Sequence, residues 1–401
     1  MSKYNFAYVC NYFKALIIPH TPCGFVVAES FRYGLTDSEL LKSMEAFREF
    51  LHLLFDKLAA ADNKIDVESG KKYDPYGDKG PRGSGKISYC FPVMRDLPYI
   101  LIALGINGKL ETSPKIKLIV NGKDVLTAIC PTTEKYPENY HRLLMMNNER
   151  KLEMFSLLSA LGLRFHGVDF ANEVDLVKAG QFSITSEINE YVVAGLKLIA
   201  EATMHHKSYI KAENLFYSAF FRCDFNSLAS VKPKKHSIQL SEFIKAQPPE
   251  IIKWIMDVDK YLKDCGCKLS HSMGGDEFTY TKRSTGIMKG RVLRIHIGIG
   301  GCFGTPGINH LKYSNNILGV LPDHIVDMVA NKTNPTHGTC GHCIKGDFIS
   351  TCKNGGRLQF NYRGEDIVRC RFTSFRIPLD NAEYRELVRK WIEMELTTSS
   401  L

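Results

Sequence analysis

Residues 248–299 read PPEIIKWIMDVDKYLKDCGCKLSHSMGGDEFTYTKRSTGIMKGRVLRIHIGI, and this stretch decides the fold class. Pro248 and Pro249 fit the first turn of a helix, where a missing N–H costs nothing and the fixed φ is already helical. Ile251, Ile252, Trp254, Ile255, Val258, Tyr261 and Leu262 then recur near the helical period and supply one buried face. Gly266 ends the helix. Beyond it the pattern changes: Phe278 to Lys282 and Arg291 to Ile299 are short runs rich in β-branched and aromatic residues. A helix followed by consecutive strands implies an α+β fold with mostly antiparallel sheets.

Working outward, residues 1–35 read as short strands and loops: Phe6 to Tyr12, Ala15 to Ile18 and Gly24 to Ala28. Thr36, Asp37, Ser38 and Glu39 form a capping box. A helix should follow to about Ala60, with the stripe Leu40, Leu41, Met44, Phe47, Phe50, Leu51, Leu54 and Leu58. Residues 61–86 are polar and glycine-rich, a long loop or boundary. A short helix should end at Leu104 and Gly105. Lys115 to Val120 and Val125 to Ile129 then flank Asn121-Gly122, a hairpin turn signal. Further helices are expected over Glu138 to Leu161, with Gly162 beyond its end, and over Glu190 to Met204, with a strand at Phe182 to Thr185 between them.

The basic connector 224–248, with Lys232, Lys234, Lys235 and His236, is the expected main boundary. Three regions result: an N-terminal α+β region, 1–230, with a break near 61–86; a central α+β domain, 231–336; and a small zinc-ribbon-like module with a closing helix, 337–401. A short helix is expected near Asp323 to Val329, and the closing helix over Asn381 to Leu396. A helix, a glycine and a strand recur at Gly105, Gly162 and Gly266, but at unequal spacing. Glycine is the default helix terminator, so a duplication is not needed to explain it.

The chain has 401 residues, 44% hydrophobic and 24% charged, which excludes a disordered chain and a disulfide-stapled mini-protein. Its formal net charge is +9. Residues 1–200 hold 24 basic and 23 acidic side chains, residues 201–401 hold 28 and 20, so +8 of the +9 lies in the second half. Such an excess can attract a polyanion, or simply solvate a surface. No run approaches the ~18–20 apolar residues needed to span a bilayer, and no signal-peptide pattern is present. The 12 cysteines are scattered, so reduced thiols or metal ligands in the cytoplasm are expected.

Cys340, Gly341, His342 and Cys343, followed by Cys352 and Cys370, are the strongest chemical signal. A C-x2-C pair on a tight turn presents two thiolates to one ion, and two later cysteines can close a tetrahedral zinc site with Zn–S near ~2.3 Å. Arg357 to Tyr362 and Ile367 to Arg369 around Gly364-Glu365-Asp366 read as a hairpin inside that site. The second half is two single cysteines, so His337 or His342 could replace one thiolate. An iron–sulfur cluster and plain reduced thiols are the alternatives. A four-ligand zinc has no open position and is structural. With the Pro-Pro-Glu helix, the Phe-Thr-Tyr-Thr strand and a Trp-Ile-Glu helix, the C-terminal third resembles uncharacterised bacterial hypothetical proteins with a zinc-ribbon-like segment. That resemblance implies the ligands Cys340, Cys343, Cys352 and Cys370, and no activity.

Two glycine-rich runs imitate nucleotide loops. Gly80 to Lys86 is one residue short of a P-loop, because Ile87 stands where the Mg²⁺-binding hydroxyl belongs. Gly298, Gly300, Gly301 and Gly304 lack the dinucleotide spacing, and no helix follows. Cys302 is the best single nucleophile, with His271, His296 and His310 as bases, against a buried structural thiol. Last, Phe278, Tyr280, Lys282, Arg283, Lys289, Arg291 and Arg294 alternate on two strands, with Arg369 and Arg371 nearby. Outward aromatics would stack bases and the cations would meet phosphates; inward aromatics would make an ordinary half-buried sheet.

The leading expectation is a cytoplasmic, zinc-stabilised, non-enzymatic binding protein that contacts nucleic acid through its basic C-terminal half. The alternatives are a small-molecule sensor with a cleft between α+β units, and an enzyme using Cys302 or the Gly80–Lys86 loop.

Overall fold

The computed structural model describes residues 6–17, 24–60, 93–128, 146–168, 170, 174–205, 228–231, 240–272, 277–284, 287–298, 301–307, 323, 357–370 and 377–398. The chain is α+β and forms two compact units, Met1–Ala246 and Gln247–Leu401.

The N-terminal unit opens with α1 (Phe6–Leu16), a single helix where two strands were expected. Phe6, Tyr8, Val9, Tyr12, Phe13 and Ile17 are all buried while Asn11 is exposed and Lys14 pairs with Asp56, so the segment has a buried face at helical spacing that its many aromatics obscure. Packing overrides the strand preference of its aromatics. Phe13 stacks on Phe55 of α2 (Asp37–Ala60) with ring centroids 6.0 Å apart. The capping box at the start of α2 is formed: the Thr36 amide donates to Glu39 Oε2 at 2.8 Å and the Glu39 amide to Thr36 Oγ1 at 3.4 Å.

The α3 helix (Val93–Asn107) runs through Gly105, which is therefore a packing residue and not a terminator. A methyl group there would sit 2.4 Å from Ala200 Cβ on α7 (Tyr191–His205). On the other flank of α7, a methyl at Gly195 would sit 2.1 Å from the Ser43 carbonyl oxygen of α2. Two glycines thus let α7 lie close against α2 and α3. Of the three helix–glycine–strand junctions, only Gly162 (φ 86) and Gly266 (φ 79) are left-handed terminators.

Beside these helices lies a four-stranded antiparallel sheet of β1 (Lys109–Glu111), β2 (Lys117–Asn121), β3 (Leu163–His166) and β4 (Gln181–Ser186), in the order β1-β2-β4-β3. Asn121-Gly122 is not its hairpin turn. The Asn121 carbonyl oxygen of the side chain accepts from the Lys123 and Asp124 amides and caps α4 (Gly122–Leu126). The Gly122 backbone meets the chain at Leu176, where a Cβ would lie 1.9 Å from the carbonyl oxygen. A short side chain that caps helices as readily as it turns hairpins made the two readings equivalent locally. The α5 helix (Asn148–Ala160) is capped by Asn147, and its Arg150 Nε reaches the buried Asp96 Oδ2 of α3 at 3.1 Å. Short helices α6 (Leu176–Ala179) and α8 (Leu240–Phe243) also belong to the described part of the unit.

The C-terminal unit begins with α9 (Pro249–Asp264), which has proline in its first turn as the sequence implied. Four strands follow as a meander: β5 (Lys268–Ser272), β6 (Glu277–Ser284), β7 (Ile287–Gly298) and β8 (Gly301–Pro306). A separate hairpin joins β9 (Arg357–Tyr362) to β10 (Glu365–Cys370) through Arg363 and Gly364, both at positive φ (52° and 85°). Then β11 (Ile377–Pro378) adds to the edge of β8, giving the order β11-β8-β7-β6-β5, all antiparallel. Helix α10 (Ala382–Thr398) lies against β7, β8 and β11. Both helices cover one face of this sheet. Tyr280 of β6 donates its hydroxyl to Asp259 of α9 at 2.7 Å, and the Arg389 guanidinium of α10 lies 3.6 Å from the Tyr261 ring centre of α9.

Candidate functional site

The meander has one apolar face and one polar face. Phe278, Tyr280, Leu293, Ile295, Ile297 and Cys302 are buried beneath α9 and α10. The alternate residues Glu277, Thr279 and Thr281 of β6 and Arg294 and His296 of β7 occupy the opposite face. A bulge sets this up. Tyr280 pairs with Leu293 but Thr281 pairs with Arg291, so Val292 is an extra residue. Val292 and Leu293 are both buried, which two neighbours in a regular strand cannot be on one face. The bulge therefore returns Arg291 to the polar face, opposite Thr281.

On that face the register places Glu277 opposite His296 and Thr279 opposite Arg294. The Glu277 carboxylate is shared: Oε2 lies 3.3 Å from Arg294 Nη1 and Oε1 3.5 Å from His296 Nδ1, with the three side chains 21–32% exposed. His296 pairs with Phe303 of β8, whose ring centre is 6.4 Å from the imidazole, and Arg294 pairs with Thr305. A carboxylate between the Arg294 guanidinium and the His296 imidazole holds both in fixed orientation. With the hydroxyls of Thr279 and Thr281 beside it, the patch can receive an anion.

The basic–aromatic set is thus divided. Phe278 and Tyr280 point inward and cannot stack on bases. Burial, then the bond to Asp259, pushes the Tyr280 hydroxyl far above its ordinary range, so it stays protonated. Lys282 shares the face of Tyr280 and lies near Cys267, whose thiol it influences. Arg291 and Arg294 share the polar face. Arg283 and Lys289 lie in β6 and β7, and Arg369 in β10 opposite Leu358, by backbone position. Arg371 lies outside the described residues. Sequence reading missed Glu277, and took His296 as a base for Cys302 and not as a partner of Glu277. Their period of two was legible, but only the register brings Glu277 across from Arg294 and His296.

Cys302 is fully buried, and burial, with Asp380 adding to it, pushes its thiol far above neutrality. His296 occupies the opposite face, and His271 lies on β5, three strands away, stacked on Phe278 at 4.5 Å. Cys302 is a core thiol in this environment, not an activated nucleophile. Of the neighbouring glycines, Gly298 pairs with Gly301 where β7 and β8 meet, Gly304 lies within β8 opposite Ile295, and Gly300 lies outside the described residues.

Of the zinc ligands inferred from the sequence, Cys370 closes β10 opposite Arg357, and Cys340, Cys343 and Cys352 lie outside the described residues, as do His337, His342 and the Gly80–Lys86 loop. The hairpin expected between Cys352 and Cys370 is present. No helix among the described residues is long and apolar enough to cross a membrane. No family model, curated protein or solved structure matches the chain.

Proposed function

We propose that this is a cytoplasmic, zinc-stabilised, non-enzymatic binding protein that contacts nucleic acid through the phosphate backbone. The observation that carries the reading is the polar face of the C-terminal sheet. There Arg291 and Arg294, both partly exposed, stand beside Thr281 and Thr279 on the face opposite the buried aromatics. With both strand aromatics buried, recognition rests on phosphate contacts and not on base stacking. The surplus of 21 basic over 16 acidic residues in 247–401 gives attraction of the right sign.

Zinc at Cys340, Cys343, Cys352 and Cys370 belongs to the same reading. The β9/β10 hairpin has no third strand among the described residues, and an isolated two-stranded hairpin is marginal in water. A metal held at Cys370 would supply the missing cross-link. Cysteine-rich metal sites of this kind suit a reducing compartment.

The test is fluorescence anisotropy of full-length protein with single-stranded DNA and RNA oligonucleotides across a salt series. Binding should fall steeply with salt, and Arg294→Ala should weaken it for all sequences alike and lower the salt slope by about 1. Salt-independent binding, or none, would overturn the proposal and bring the small-molecule reading forward. Elemental analysis should find about one zinc per chain, lost in Cys340→Ser/Cys343→Ser.

A further inference from the structure

Helix α9 ends in a Schellman motif built on Cys265-Gly266-Cys267. The Gly266 amide donates to the Lys263 carbonyl and the Cys267 amide to the Leu262 carbonyl, each at 2.9 Å, with Gly266 at φ 79. Both cysteines are free thiols, Cys265 half-buried and Cys267 buried. In an extended strand residues i and i+2 lie about 6.6–7.2 Å apart. That is the outer limit for disulfide bridging, which takes Cα separations of about 4.4–6.8 Å. The left-handed turn at Gly266 folds the chain back between the two, so their separation is shorter than in an extended strand. Burial pushes the Cys267 thiol up, with Lys282 opposing and Cys265 adding a smaller upward push. A dithiol whose anion gains little from its surroundings favours the oxidised form.

We propose that Cys265 and Cys267 are a redox modification site that closes reversibly to an intramolecular disulfide, with a glutathione-type disulfide as oxidant. The half-buried Cys265, the more accessible of the two, loses its proton to water, and its Sγ attacks one sulfur of glutathione disulfide. One glutathione thiolate leaves, and a mixed disulfide remains on Cys265. Cys267 then gives up its proton and attacks the Cys265 sulfur, expelling the second glutathione. The pair loses two hydrogens and two electrons, and one glutathione disulfide becomes two thiols. Cys265 lies one turn beyond Tyr261, its amide bonded to the Tyr261 carbonyl, and the Tyr261 ring is the one on which Arg389 of α10 rests.

The test equilibrates the full-length protein in a series of reduced and oxidised glutathione ratios, quenches with acid, alkylates in denaturant and digests with trypsin. The peptide Asp264–Lys268 carries Cys265 and Cys267 and no other cysteine. It should appear unalkylated and two hydrogens lighter under oxidising ratios, and doubly alkylated after return to excess reduced glutathione. Cys267→Ser should instead accumulate a glutathione adduct on Cys265. The wild-type peptide is decisive even if that variant folds poorly. Double alkylation at every ratio, or a persistent glutathione adduct in the wild type, would overturn the proposal. So would protection from alkylation in the native protein that vanishes with a zinc chelator, since the pair would then be metal ligands.

Discussion

In the N-terminal unit, polar and small residues serve helix packing. Gly105 and Gly195 let α7 touch its neighbours, Lys197 spends its charge on the Ile106 carbonyl and Glu201, and Asp96 is buried against Arg150. In the C-terminal unit, a meander covered on one face leaves the other face to Glu277, Arg294 and His296. Helices surrounded by other helices consume their polar groups internally, whereas a one-sided sheet keeps half of its side chains out of the core. The candidate site lies on the polar face of the C-terminal sheet, where Glu277, Arg294 and His296 pair with one another and not with a helix.

The strongest way to break the contrast is Gly195→Ala. Its Cβ would collide with the Ser43 carbonyl and, at 2.5 Å, with Phe47 Cβ. Backbone must move, and a loss of about 3 kcal/mol is expected, the upper end of overpacking costs. Hydrogen exchange should show faster opening of α2 and α7 with β6 and β7 unchanged. Equal acceleration in both units would mean that they do not open separately.

A smaller effect is expected in the C-terminal unit from Tyr280→Phe, which deprives the Asp259 carboxylate of one of its two donors. A hydrogen bond to a charged group contributes about 1.5–3 kcal/mol. Urea unfolding should move by that amount, with the loss concentrated in α9 and β6. An unchanged midpoint would mean that apolar burial alone holds α9 to the sheet.

The smallest expected effect sharpens the comparison through pH. His52 on α2 is half-buried, and burial, then Arg48 and Lys14, lower its pKa from 6.5 to about 4. The unfolded chain binds the proton first, so stability should fall as pH drops from about 6.5 towards about 4 and level off below. His52→Gln should flatten the N-terminal unit's dependence over that window. A slope that survives the substitution would assign it to other groups.

Much of the fold was legible where burial has a period. The Thr36–Glu39 capping box, the stripe of α2, the proline-led start of α9 and the β9/β10 hairpin each follow from local rules that tertiary structure did not override. Legibility failed where one local signal serves two structures. The α1 helix is rich in aromatic residues that favour strands, so its sequence resembles strands. Gly105 looks like a terminator because a terminator and a close helix contact require the same absent side chain. Asn121-Gly122 satisfies a hairpin and a helix cap equally.

For the candidate site, sequence alone determined the residue types: the cations of β6 and β7, the alternation that separates them from the aromatics, and the cysteine spacing around Cys370. Tertiary structure decided which residues meet. The extra residue at Val292 returned Arg291 to the face of Arg294, and strand register set Glu277 opposite His296. Side-chain alternation is a property of each strand, but register depends on what its neighbour buries. A one-residue change in pairing would have put a different set of charges together.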